Sequence, residues 1–232
     1  RLPLYLVLRA VAPLQLLAAG RRPMWLMAGS VTLWAVAGIW HLSLPNYPSK
    51  GGWFFNPLTW QVIFVTGLLT GVALKEGRRL VPVQRWLQVV TGLFLIYAAL
   101  STQIPAVSKI TGQTLWLAKE TFHLPWNFTA FDKTFVTAPR LLHILALAYF
   151  LSSFPAIRRA CAHRLAAPFE LLGRQALPVF ALGSVLCIGA QGIKHAVGDD
   201  LMTDTLLIGG GLALQFALAA AKQYWPKPPK LS

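Results

Sequence analysis

The chain has 232 residues, of which 56% are hydrophobic and 12% charged, against roughly 45–50% and 25% in an ordinary globular domain. So few charges cannot cover a soluble protein of this size, and disorder requires the opposite bias. The net charge is +14, from 21 Lys and Arg against 7 Asp and Glu, but these basic residues sit in short clusters between long apolar runs, as in a chain anchored across a membrane, and no basic, aromatic-interleaved segment tracks a nucleic acid, which excludes that partner.

Runs of about 20 mostly apolar residues mark transmembrane helices. In chain order they fall at about 2–20, 24–42, 57–74, 86–104, 139–154, 171–193 and 203–221. Backbone groups in hydrocarbon must bond within their own segment, so each run is expected to be helical. The expected fold is an all-α, polytopic transmembrane helix bundle of about seven spans. It forms a single integral membrane domain over residues 1–232, with a basic, Pro-rich cytoplasmic tail at 222–232. The fifth run is short, and the sixth carries Pro178.

Alternate connectors carry 13 basic residues on one side and 6 on the other. The richer side is expected in the cytoplasm, which places the C-terminus inside and starts the first helix outside. The chain opens on Arg1 without a signal-peptide layout, so an N-terminal truncation that removes an odd number of helices is expected. Cys161 in a basic connector and Cys187 in an apolar run form neither a disulfide pattern nor a metal spacing.

The outward connectors, residues 43–56 and 105–138, are long and rich in Trp, Phe, Pro and Asn, whereas a cytoplasmic link such as KEGRR is short and plainly basic. Elaborate loops carry function more often than scaffold links do. In TLWLAKETFHL, Leu115, Ala118 and Phe122 share one helical face, which suits a short helix at the membrane surface.

The best single candidate for chemistry is His143, which follows Arg140 by one turn in PRLLHILALAY. Ionisable groups inside a span are costly and usually face a cavity or a partner. Imidazole exchanges protons near neutral pH, and a guanidinium holds a carboxylate or phosphate with two bonds. An Arg snorkelling to headgroups beside a backbone-bonded His gives the same pattern. Asp132 and Lys133 precede that helix in FDKTF; the carboxylate could orient a base or merely cap a turn. Trp53, Phe54, Phe55 and Asn56 lie in GGWFFNP, where Pro57 opens the next helix. Their rings could stack on sugar faces or form an interfacial belt. His41 and His195 have no partner that spacing identifies. Gln61, Gln175 and Gln191 read as helix glue. No phosphate-binding loop, dinucleotide fingerprint, nucleophile elbow or metal-ligand spacing is present in the sequence.

The segments LPLYLVLRAVAP, LPNYPSKGGWFFNPLTWQVIFVTGLLTG, FDKTF with PRLLHILALAYFL, and LLGRQALPVFALGSVL resemble the OpgC family over residues 2–221. The WFFNP-x-x-WQ and FDKT…RLLH blocks are the specific parts. That resemblance implies a bacterial inner-membrane acyltransferase that moves succinyl groups from succinyl-CoA to hydroxyls of osmoregulated periplasmic glucans, with no bound cofactor. It implies Arg140 and His143 at the active cavity, Asp132 and Lys133 at its outer rim, and Trp53, Phe54, Phe55 and Asn56 at the acceptor entrance. Lys75, Arg78 and Arg79 could attract the CoA phosphates, although they serve equally as topology anchors. The resemblance also implies about ten spans in a complete member, and an acid–base His at the outer end of the first of them, in a segment this chain does not contain. A transporter of polysaccharide or acyl precursors is the alternative, and a non-catalytic scaffold a third. Oligomeric state is not readable from the sequence.

Overall fold

The computed structural model describes residues 2–45, 52–198 and 200–224. Lys50, Asp199 and the tail beyond residue 224, with Lys227 and Lys230, lie outside the described residues. The chain divides into two compact units, residues 1–154 and 155–232.

The first unit holds α1 (Leu2–Arg21), α2 (Pro23–Ile39), α3 (Pro57–Lys75), α4 (Arg85–Gln103), α5 (Pro105–Phe122), α6 (Trp126–Thr129) and α7 (Ala138–Ser153). Proline stands in the first turn of α2, α3, α5 and α7, where its fixed φ suits a helix start and its missing N–H is not needed. At the centre is α3: 39% of its most apolar stretch is buried inside the protein. One side of α3 packs Val65 and Leu69 against Ala19, Leu26 and Met27. Another packs Val62 against Trp34, Val136 and Leu141. Between α2 and α3, the Ser30 hydroxyl donates to Gln61 Oε1 at 2.7 Å, and Gln61 Nε2 donates back to the Ser30 carbonyl at 2.8 Å. The glutamine read as helix glue therefore satisfies both ends of its amide across one interface. α4 pairs with α7, and a Cβ on Gly92 would meet the Phe150 ring at 2.8 Å.

The second unit contains α8 (Pro155–Cys161), a 3-10 turn (Arg164–Ala166), α9 (Ala167–Arg174), α10 (Ala176–Val197) and α11 (Leu201–Tyr224). Phe169 of α9 meets Phe216 of α11 edge-on, with centroids 6.1 Å apart. Lys194 pairs with Asp204 at 2.8 Å.

All seven apolar runs are helical. Among the described residues, α3, α4, α10 and α11 are long and apolar enough to cross a membrane, and α7 with α8 counts as a fifth if the pair is one broken span. None of α10's apolar stretch is buried within the described residues, a pattern that suits a helix facing hydrocarbon. The chain is an all-α, multi-pass membrane protein.

Three boundaries differ from expectation for local reasons. The sixth run does not begin at residue 171, because Gln175 breaks the backbone between α9 and α10. Pro178 consequently lies in the first turn of α10 rather than inside a span, and costs no helix hydrogen bond there. The second run ends early, where His41 turns left-handed at φ 52°. The surface helix expected around residues 114–124 is the last part of a longer α5, which folds back on α4 with the Tyr97 and Thr111 hydroxyls 2.7 Å apart.

Candidate functional site at the α2, α3 and α7 ends

The C-terminal end of α2, the N-terminal ends of α3 and α7, and the loop before α7 converge on Asn56, which is wholly buried. Its Oδ1 accepts from the Leu58 N–H at 3.0 Å and so caps α3. Its Nδ2 donates to the Leu42 carbonyl at 2.5 Å. Its backbone N–H donates to the Thr134 carbonyl at 3.1 Å. One side chain and one peptide thus tie three chain segments together, and the amide exposes no atom to a ligand.

The loop from Asp132 to Thr137 is shaped from within. Asp132 Oδ1 accepts from the Phe135 N–H at 2.9 Å, and the Thr137 hydroxyl accepts from the Asp132 N–H at 3.0 Å. Two indoles anchor its carbonyls: Trp60 Nε1 donates to the Lys133 carbonyl at 3.0 Å, and the buried Trp34 Nε1 to the Val136 carbonyl at 2.8 Å. Val136 sits at φ 48°, a conformation that costs a β-branched residue about 1–2 kcal/mol. The loop presents Lys133 outward, with Nζ 4.7 Å from the centre of the exposed Phe54 ring. Phe54, Phe55 and Trp60 then run edge to face, with centroids 4.8 and 5.0 Å apart. Trp53 donates from Nε1 to the Pro45 carbonyl at 3.0 Å.

The structure therefore brings together Trp53, Phe54, Phe55, Asn56, Asp132 and Lys133. Arg140 and His143 follow on α7, both exposed. The His143 ring lies 6.3 Å from that of Phe94. Neither the Arg140 nor the His143 side chain is hydrogen-bonded or ion-paired to another described residue.

Lys75 closes the other end of α3, about 28 Å from Asn56 by helix rise, and Arg78 and Arg79 follow it. Arg78 pairs with Glu76 at 2.6 Å, both groups half-exposed, a contact of little energetic consequence. The Arg79 guanidinium donates to the Ser152 carbonyl and hydroxyl at 3.1 and 3.0 Å, pinning the α3–α4 link to the end of α7. Lys75 is exposed in the last turn of α3, where it complements the helix dipole.

Several residues of this end carry no sequence signal of their own. Asn127 of α6 is wholly buried with both amide atoms unpartnered among the described residues. It lies against Gly38 of α2, where a Cβ would overlap the carboxamide. Gly38→Ala is expected to lower stability by about 1–3 kcal/mol through overpacking. Thermal unfolding in detergent checks this, and shortening Asn127 to Ala in the same background should recover much of the loss. A Gly38→Ala protein as stable as the parent would mean that α6 is not seated on α2.

No curated protein and no solved structure matches the chain significantly. The family model described as OpgC protein matches residues 1–227, which includes both specific sequence blocks and every residue of the convergent end described above, and by that match the chain belongs to the OpgC family.

Proposed function

We propose that this protein transfers succinyl groups from succinyl-CoA to hydroxyls of osmoregulated periplasmic glucans, as a multi-pass protein of the bacterial inner membrane with seven spans in this chain and its C-terminus in the cytoplasm. Membership in the OpgC family supports a membrane acyltransferase-like role. The observation that supports the reading is the clustering, at one end of α2, α3 and α7, of Phe54, Phe55, Trp60 and Lys133, with the exposed Arg140 and His143 following in the first two turns of α7. In the proposed reaction a glucose hydroxyl attacks the thioester carbonyl. A carbon–oxygen bond forms, the carbon–sulfur bond breaks, and CoA leaves as its thiol with the proton that the hydroxyl gives up. His143 is the proposed acceptor of that proton, and Arg140 is placed to hold the succinyl carboxylate or the developing oxyanion. Phe54 and Lys133 form the acceptor entrance with Trp53 and Phe55. Asp132 and Asn56 act from behind, holding the loop and the α3 start that present them.

Lys75, Arg78 and Arg79 lie at the end of α3 where the donor's phosphates would arrive. Arg79 is committed to Ser152, so Lys75 and Arg78 are the proposed phosphate contacts.

Anion-exchange chromatography of periplasmic glucans from cells with and without the intact gene tests the reading. Deletion should make the glucans less acidic and remove their succinate. An unchanged charge profile would reject the substrate assignment and favour a transporter of another cargo.

A further inference from the structure

We propose that His41 and Trp126 form a sugar-binding subsite, so that the acceptor is held as an oligosaccharide across two aromatic surfaces rather than as one ring. This inference rests on the glucan reading above and adds a second contact to the same site. His41 follows the last turn of α2 at φ 52°, a position where glycine or asparagine ends a helix without strain. The histidine is nonetheless accommodated, with its ring 4.6 Å from that of Trp126 and 5.4 Å from that of Phe135. Phe135 stands nearly perpendicular to both rings, at 75° and 86°, and buttresses them. His41 is exposed, and neither of its ring nitrogens is hydrogen-bonded to a described residue. Packing alone would be served by an apolar ring. An imidazole adds a donor and an acceptor that a sugar hydroxyl can use while the flat faces meet its C–H surface.

The placement relative to the first surface is set by one loop. Asp132 Oδ1 fixes the Phe135 N–H, so the loop that carries Lys133 to Phe54 also carries Phe135 to His41. Leu42, the neighbour of His41, accepts the Asn56 amide that caps α3. Both aromatic surfaces are therefore anchored to the one loop, the common support that the proposed two-surface binding of an oligosaccharide uses.

The test is calorimetric binding of neutral periplasmic glucan, isolated from cells lacking the gene, to the complete gene product in detergent. His41→Phe keeps the ring and loses the polar atoms, and should bind glucan about tenfold more weakly, one hydrogen-bonding group's share of affinity. His41→Gly suits the backbone and removes the ring, and should weaken binding further without lowering thermal stability. Either variant binding as tightly as the parent overturns the subsite. If the parent binds glucan but transfers no succinyl group, the acyl chemistry falls and the subsite stands. If both variants bind and transfer like the parent, the subsite alone falls. A parent that does not bind glucan removes both.

Discussion

Asn56→Ala is expected to destabilise the first unit by on the order of 3 kcal/mol, the largest stability effect of any single side chain at this end. Loss of the α3 cap accounts for about 1 kcal/mol. The Leu42 carbonyl also loses the donor that this wholly buried amide gives it, at about 1–3 kcal/mol where the acceptor is left unsatisfied. Asn56→Ser separates the two terms, because its hydroxyl still accepts from the Leu58 N–H as a cap and no longer reaches the Leu42 carbonyl. It should fall between the parent and the alanine variant. Thermal unfolding followed by circular dichroism in detergent decides the matter. An alanine variant within about 0.5 kcal/mol of the parent would show that the three segments are held by something other than this amide.

His143→Ala is expected to lower glucan succinylation by about 10²–10⁴-fold, the usual contribution of a general base, while leaving protein amount and unfolding temperature unchanged. The second half of that expectation follows from the surroundings: His143 is exposed, and its ring contact is an edge approach to Phe94 at 6.3 Å. Succinate per glucan, measured alongside immunoblotting of the membrane fraction, reports both quantities. Full succinylation by the alanine variant would place the base elsewhere. Arg140→Lys sharpens the result, since a lysine keeps the charge and loses the two-pronged geometry. A large drop with lysine points to bidentate binding of a carboxylate, whereas retention points to charge alone.

Much of the architecture was readable from the order of residues. Apolar runs separated by basic clusters became helices, because a backbone in hydrocarbon has no partner outside its own segment and this requirement is local. Pro57 after Asn56 marked the start of α3 for the same kind of reason: the cap and the first-turn proline act within a few residues. The aromatic block at residues 53–55 and the Asp132–Lys133 pair were legible as candidates, since their residue types are unusual beside a span.

What Asn56 holds was not legible, and for Asp132 the two readings stood open until the Phe135 N–H showed the turn cap. Both are polar residues in outward loops, and in sequence they look as accessible as Lys133. Only the approach of the Leu42 and Thr134 carbonyls reveals that the Asn56 amide and peptide are spent on the protein. His41 had no partner because Trp126 and Phe135 are more than 80 residues away along the chain. The basic link after α3 carried the same two readings for all its charges, yet Arg79 is bound to Ser152 while Lys75 is exposed in the last turn of the helix.

The sequence by itself determined that this protein is helical and lives in a membrane, because hydropathy and backbone satisfaction act over single segments. Tertiary structure alone decided which polar groups are structural and which are left to meet a ligand, because a hydrogen bond between residues 42 and 56, or between 56 and 134, exists only once the helices have packed.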